Sequence, residues 1–581
     1  MKFTFKKFLS NLLTDAVKNI ALSRNIIINS DFTAKIEYPP SYSLGQYSSP
    51  VAMECARIFK ESPANIAQLL LEIINKNPEN RKYFSELQIV HPGFINFYLS
   101  GEAHQNLMGD VFSSLETMYA PIQSKNQHGR IIFEFVSANP TGPLNIVSAR
   151  AAAVGDSICR ILKAAKCNVY REYYVNDFGN QVRLLGLSLA ARYLQKLGHD
   201  APLPEEGYQG EYIKDVLEDI SKNDTTLKGI AGDISRKNLA EVQEQLGEYF
   251  APLAVEKLRS THEKDLASFG VYFDNFFSEK SLHDQKEVEK ILSVLQASGF
   301  VYELDGALLF QSTKFGDEKD RVIVRSDGRP TYLLADIAYH KSKIDRGFQK
   351  IYDIWGPDHH GYIARLKGAL KSIHFPEKEN EDFEVFIVQQ VNMIEDGKPV
   401  VMSKRLGKFH TMNDLLEKIP ADVVRFFFLL RSQSSHLDFD LDLATTQSNK
   451  NPVYYIQYAA ARICSIFREA KKDIDEKINL PEYVFTDIKK SGREELLSIL
   501  WRYPEIVEQV SVSFEVHILS EYLYNVAQIF TRFYHEKENN VLATFETNFE
   551  EGCLLLKICQ LTRVVLKEGL SLLGVSAPEK M

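Results

Sequence analysis

A multidomain α/β architecture is predicted by three features of the sequence. The chain has 581 residues, more than one hydrophobic core serves, so roughly three or four domains are expected. From 130 to about 390, strand-like runs alternate with helical ones, the rhythm of a parallel sheet with helices on both faces. After about 440 strand signals almost vanish and amphipathic helices follow one another. The three features together give a Rossmann-like parallel-sheet domain over 125–440 with a helical insertion at about 180–275. An N-terminal α+β domain over 1–120 precedes it, and a C-terminal all-α bundle over 445–581 follows.

The elements justify themselves in order. Phe5, Phe8, Leu9, Leu12, Leu13 and Ala16 recur at i, i+3, i+4 spacing, so the chain opens with an amphipathic helix packed on its own domain. Lys6, Lys7, Asn11, Asp15 and Lys18 interrupt any apolar targeting core, and the first arginine is Arg24. "HPGFINFYLS" reads as the strand that closes the first domain. "IIFEFV" (131–136) then runs through a Pro/Gly turn into an alanine-rich helix, 146–165. "NVYREYYV" is the next strand, and charged helical stretches such as "YIKDVLEDISK" and "RKNLAEVQEQLGEYF" mark the insertion. "KIYDIW" and "FEVFIVQQV" resume the sheet. "NPVYYIQYAAARICSIFREAKK", "SEYLYNVAQIFTRFYHEK" and "LLKICQLTRVVLKEGLSLLG" are the helices of the last domain.

Hydrophobic content of 45% and charged content of 25% describe an ordinary globular chain. The net charge of −9 announces no global nucleic-acid footprint, although a basic face can sit on an acidic protein. Six cysteines form no CxxC pair, so buried thiols in a reducing cytoplasm are expected and structural zinc is not. No run of about 18 apolar residues exists to span a membrane.

Four stretches carry chemistry. In "IIFEFVSAN", Glu134 lies inside an apolar strand, where a carboxylate needs a cationic or hydrogen-bonding partner, and an internal ion pair answers that need as well as a ligand does. Asn139, Thr141 and Gly142 form the following turn, and strand, turn and helix N-terminus offer backbone N–H groups to a phosphate. In "DGRPTYLLADIAYH", Tyr332 and Asp336 stand four apart on one helical face, where a phenol and a carboxylate can hold a guanidinium; a core tyrosine beside a solvated aspartate is the bland alternative. In "IWGPDHHGY", a strand runs into Gly356, Pro357, Asp358, His359 and His360. Adjacent histidines do not face one metal, so contact with a nucleotide suits the βα setting better and no metal site is expected. "GKPVVMSKRLGKF" is a glycine-flanked basic loop in which Lys404 and Arg405 could neutralise phosphates, or simply be solvated.

The order of these elements resembles the arginyl-tRNA synthetases, a family of class I aminoacyl-tRNA synthetases, over essentially the whole chain. "SANPTGPL", "REYYVNDFGNQ", "GEYI", "GVYFDNFFSEKSL", "YLLADIAYH", "GPDHHGY", "MSKRLG", "DVVRFFFLLRSQSSHLDFDLDLA", "NPVYYIQYAAARI" and "LGVSAPEKM" follow one another in family order. The resemblance implies an N-terminal domain that contacts the tRNA elbow, a catalytic Rossmann-like domain and a helical anticodon-binding domain. It implies ATP, as its Mg2+ complex, activating L-arginine to arginyl-adenylate before transfer to tRNA(Arg), with tRNA generally needed even for activation. A cytoplasmic monomer is expected. Residue by residue, it implies that Glu134, Ser137, Ala138, Asn139, Ser148 and Pro357 bind arginine, with Glu279, Tyr332 and Asp336 on its guanidinium. Gly142, Asn145, Ser148, Gly356, Asp358, His359, His360, Met402, Ser403 and Lys404 fall to ATP, while Asn145, Ser148, Lys404 and Arg405 carry catalysis. Tyr455 and Tyr458 fall where the family stacks aromatics on anticodon bases.

Two departures stand out. The signature "HIGH" is replaced by Asn145-Ile146-Val147-Ser148, and the first lysine of the "KMSKS"-type loop by Val401. Asn145 and Ser148 can still donate neutral hydrogen bonds, and the retained arginine pocket and Lys404 favour a re-tuned working site over a relic. Two other readings are a regulatory tRNA-binding paralogue and an ATP-dependent ligase or nucleotidyltransferase without RNA. The aromatic-bearing helical domain speaks against the latter.

Overall fold

The computed structural model describes residues 5–104, 106–107, 129–222, 226–227, 238–378, 381–400, 411–473, 478 and 492–581. The first helix, Phe5–Ser23, buries Phe5, Leu9, Leu13, Ala16 and Val17 along one face, as the spacing requires. It shares a core with the helix Pro63–Lys76 and a small antiparallel sheet of β1 (Tyr47–Ser49), β2 (Phe84–Val90) and β3 (Phe94–Leu99), ordered β1-β3-β2. Ser62 caps the helix Pro63–Lys76 by accepting from the Asn65 N–H, with Pro63 opening its first turn.

The central sheet takes β4 (Arg130–Glu134), β5 (Asn168–Val175) and β6 (Asn275–Ser278) from one part of the chain. Three short antiparallel strands that sequence patterning does not reveal follow: β7 (Val301–Leu304), β8 (Ala307–Phe310) and β9 (Arg321–Val324). The chain then returns to the main sheet with β10 (Lys350–Trp355) and β11 (Asp382–Ile387). The sheet order β11-β10-β4-β5-β6 is parallel throughout. Successive connections run one way from β4 and the other way to β10, so the topological switch point lies between those two strands, where doubly wound sheets bind ligands at their carboxyl ends. "FEVFIVQQV" divides: its first half is β11, while its end enters β12 (Val391–Glu395), which pairs with β13 (Lys398–Pro399) and with β14 (Leu437–Asp440) in a separate sheet.

Between β5 and β6 lie the helices Asn180–Lys196, Tyr212–Ser221 and Leu239–Ser268, which share a core of their own. Gly186 and Gly247 sit where these helices cross, and a Cβ on Gly186 would meet the Gly247 carbonyl at 2.2 Å. After β14 the described chain is helical to its end, with Pro452–Glu469, His517–His535 and Phe549–Leu572 as the long members.

The helical region reaches both neighbours. Trp501 enters the core of the N-terminal sheet. Beside it, the buried Glu505 accepts from the Lys6 N–H at 2.9 Å, the Tyr38 hydroxyl at 2.5 Å and the Tyr47 hydroxyl at 3.2 Å. Toward the central sheet, Arg425 is fully enclosed, donating to the Leu573 carbonyl at 3.0 Å and to Asp156 of the helix Ile146–Ala164 at 2.5 Å.

Candidate active site

The site is built where β4 ends. The chain turns through Val136 (φ 70°) and Ser137 (φ 39°), two consecutive non-glycine residues in the left-handed region. Such a turn costs on the order of 1–3 kcal/mol per residue and must be held by its surroundings. Ser137 supplies the hold. Its hydroxyl donates to Glu134 at 2.8 Å and accepts from the Tyr174 N–H at 3.0 Å. Asn139, at the exposed tip, donates to Gln181 at 2.8 Å.

Glu134 does have a cationic partner, and it comes from the protein. Strand register places Asp353, Glu134 and Glu172 side by side across β10, β4 and β5. Three carboxylates in one row repel and are buried, so cations must intervene. The helix Tyr332–Asp345 provides Lys343, whose Nζ lies 2.6 Å from Glu134 and 2.8 Å from Asp353. Arg346, just beyond that helix, grips Glu172 at 2.6 Å and 2.8 Å. His340 Nε2 lies 2.7 Å from Asp353. Against the cost of burial, Lys343 and His340 hold the Asp353 carboxyl below its usual range. Glu134, His340 and Asp353 present ligand atoms within 4.8 Å of one another, but the Lys343 ammonium already bridges two of the three. The internal ion pair is therefore present, with both Glu134 oxygens engaged by Lys343 and Ser137.

Glu279 and Asp336 present a contrasting pair. Glu279 follows β6 at the start of the helix Glu279–Asp284 and is buried. Burial, then the neighbouring Asp336, raises its carboxyl to about 7. Asp336 is pushed up to about 6 by burial, against a hydrogen bond from Tyr362. Among the described residues neither acid has a lysine or arginine within salt-bridge distance, and the nearest base to Glu279 is His283 Nε2 at 3.9 Å. Tyr332 is 60% exposed at the start of its helix. The phenol that grips Asp336 is instead Tyr362, at 2.5 Å. Sequence reasoning passed over Tyr362 although it closes the quoted "GPDHHGY".

Asn145 caps the helix Ile146–Ala164, its side-chain oxygen accepting from the Ser148 N–H at 2.8 Å. The cap occupies the oxygen and leaves the amide nitrogen as the group able to donate outward. Ser148 and Val147 are half-buried in the first turn. The same turn meets the far side of the basic loop: Asn145 bridges Thr411, and the Met412 N–H donates to the Leu144 carbonyl at 2.8 Å. Residues 401–410 lie outside the described residues, and with them Met402, Ser403, Lys404 and Arg405. Their flanks are β13 and the helix Met412–Leu416, whose start is fixed by a reciprocal cap between Thr411 and Asp414. Gly356 and Pro357 are half-buried and Asp358 exposed just past β10, beside the switch point, whereas the side chains of His359 and His360 lie outside the described set.

In the helical region, Tyr455 is half-buried against Tyr524, with ring centroids 5.6 Å apart. Tyr458 is more open, stacked with Tyr454 at an interplanar angle of 9°. The Arg462 guanidinium lies 4.9 Å from the Tyr458 ring and 4.7 Å from the Tyr534 ring. Two grooves, of about 700 Å³ and 410 Å³, share Tyr458, Arg462 and Tyr534 in their linings.

A parallel sheet with its loops gathered at the switch point, joined to a helical region bearing exposed aromatics, has the layout of a class I aminoacyl-tRNA synthetase, and the family models assign it to that class. Residues 113–423 match the family model of the class I (R) tRNA synthetase catalytic domain, 7–99 the arginyl-tRNA synthetase N-terminal domain, and 456–581 the DALR anticodon-binding domain. The chain is similar to the arginine–tRNA ligase of Leptospira interrogans, 42% identical over 100% of this chain and 98% of that one. It is likewise similar to that of Bacillus subtilis, 40% identical over 99% of each. The arginyl-tRNA synthetase structure of Thermus thermophilus shares the fold, with a TM-score of 0.74 over 99% of this chain and 100% of that one at 21% identity. The chain belongs to the arginine–tRNA ligase family, and arginine–tRNA ligation is its activity.

Proposed function

We propose that the Glu279–Asp336 pair holds the arginine guanidinium. Two carboxyls, each raised by burial and one also by the other, recover their charged state when a planar cation comes between them. The guanidinium fork fills such a pair where the point charge of lysine does not. Ser137, Ala138 and Asn139 take the α-amino and carboxylate groups, with Glu134 acting through Ser137. Tyr332 closes the exposed side of the pocket and Pro357 its edge. Gly356, Asp358, His359 and His360 receive the adenosine. Gly142, Asn145, Ser148, Met402, Ser403, Lys404 and Arg405 gather round the triphosphate, and magnesium arrives with ATP as part of the substrate.

The arginine carboxylate attacks the α-phosphorus. A new P–O bond forms, the bond to the bridging oxygen breaks, and pyrophosphate leaves with its electron pair. Lys404 and the Asn145 and Ser148 donors stabilise charge on the phosphoryl oxygens. A terminal ribose hydroxyl of tRNA(Arg) then attacks the activated carbonyl and AMP departs. Tyr455 and Tyr458 read the anticodon. A division at 1–120, 125–440 and 445–581, with an insertion at about 180–275, suits this assignment, as does a monomer working in the cytoplasm.

The carboxylate pair without a lysine or arginine partner among the described residues carries this reading. Replacing Asp336 by Asn removes one charge-assisted partner, which should cost roughly 1.5–3 kcal/mol. The arginine KM in ATP–pyrophosphate exchange should rise accordingly while the ATP KM stays put. An unchanged arginine KM would remove the pair from the binding site.

A further inference from the structure

The loop 138–142 is held through its carbonyls by three side chains that come from elsewhere. The Tyr173 hydroxyl on β5 donates to the Ala138 carbonyl at 2.9 Å, and the Tyr212 hydroxyl donates to the Thr141 carbonyl at 2.6 Å. His262, buried on the insertion helix Leu239–Ser268, places Nε2 2.6 Å from the Gly142 carbonyl and Nδ1 3.0 Å from the Tyr173 oxygen. A carbonyl only accepts, so Nε2 carries the hydrogen; Nδ1 of the neutral ring and the Ala138 carbonyl then share the single hydrogen of the Tyr173 hydroxyl. One imidazole thus holds Gly142 directly and abuts, through Nδ1, the phenol that reaches Ala138. One turn along the same face, Asp265 accepts from Asn413 at 3.0 Å, in the helix that begins where the basic loop ends. A single turn of the insertion therefore touches the mounts of both nucleotide loops.

We propose that His262 is a positioning residue for arginine activation, holding the 138–142 loop in the geometry its substrates need. The proposal rests on the reading that this loop binds arginine and ATP. His262 touches no substrate itself; it determines where the Ala138 and Gly142 backbone stands, and a displacement near 1 Å in such a site costs about 10²-fold in rate.

The test uses the full-length protein and arginine-dependent ATP–pyrophosphate exchange with tRNA present. His262→Phe keeps a flat ring and loses both hydrogen bonds. His262→Gln keeps an N–H for Gly142 and an oxygen for Tyr173. The Phe variant should lose at least about 10-fold in kcat/KM for exchange with tRNA affinity intact, and the Gln variant should restore most of it. A Phe variant as active as the parent, or a Gln variant as poor as the Phe variant, would overturn the proposal. If His262→Phe fails to fold, Tyr173→Phe removes a single oxygen and takes its place: a raised arginine KM supports the proposal and an unchanged one overturns it. Asn139→Ala in the same assay separates the two readings. A silent Asn139→Ala means the loop does not bind substrate, whereas a damaged Asn139→Ala beside an unaffected His262→Phe removes His262 alone.

Discussion

Asp336 and Glu279 set a pH dependence whose sign follows from their charge state. Arginine remains a cation throughout, so only the protonation of the two acids alters its attraction to the pocket. As pH falls through about 7 and then about 6, first Glu279 and then Asp336 gains a proton. The kcat/KM for arginine should therefore be highest above neutrality and fall on acidification, while that for ATP does not follow. In Asp336→Asn the like charge that helps raise Glu279 is gone, so the remaining transition should move to lower pH. A flat profile across that range would mean that neither acid meets the substrate. Asn145 poses a different question, because its oxygen is a helix cap. Asn145→Ala should lose the cap, about 1 kcal/mol of stability, and slow adenylate formation roughly 10²-fold. Asn145→Ser retains a capping oxygen but not the amide donor. It should melt like the parent yet be as slow as the alanine variant; a fast Asn145→Ser would assign the whole effect to the cap. At this scale the sequence singles out Asp336, Glu279 and the 137–139 loop by residue type and order, and the fold sets the two acids beside each other. Tyr362 and the Lys343 bridge were not legible in this way, because a tyrosine and a lysine on helical turns carry no signal until the fold sets them against Asp336 and Glu134.

Strand and helix periods brought out β4, β5, β10 and the long helices, whose apolar faces are continuous. They failed where an element is short or is shared between sheets. β7 to β9 are four residues each with half-exposed patterns, and "FEVFIVQQV" reads as one strand although the chain changes sheets at 388–390. That change of sheet matters to the basic loop. β12 and β13 deliver the chain to residue 401, and the capped turn at Thr411 receives it beside Asn145. Both ends of the loop are mounted on rigid structure next to the signature turn. Lys404→Ala should accordingly lower kcat for adenylate formation much more than it weakens ATP binding, because the charge is needed when the α-phosphorus is attacked. Equal losses in kcat and in ATP affinity would make Lys404 a ground-state ligand.

Across the whole molecule, the division of labour was visible in the change from βα alternation to helices, whereas the docking of the first domain on the last was not. Periodicity reports which face of a helix is apolar, not which domain it will cover, and Trp501 belongs by sequence to the bundle but by packing to the N-terminal core. The exposed stack offers a cleaner probe of RNA binding than its buried neighbour. Tyr458→Ala should weaken use of tRNA by about 1–3 kcal/mol, the scale of one base–aromatic stack, with thermal stability unchanged. Tyr455, wedged against Tyr524, would confound that measurement with unfolding. If Tyr458→Ala charges tRNA with the parent's KM, the bases lie elsewhere.

The seam around Glu505 also sets a clock during synthesis. The backbone N–H of Lys6 and the hydroxyls of Tyr38 and Tyr47 find their common acceptor 499, 467 and 458 residues later. A ribosome adding roughly 5–20 residues per second reaches Glu505 some tens of seconds after it has finished the first domain. For that interval the nascent domain lacks the Trp501 ring in its core, and the two phenols must be served by water. The first part of the chain to emerge is therefore among the last to be completed, and a ribosome that stalls inside the catalytic sheet leaves exposed the very surface that the bundle was meant to cover.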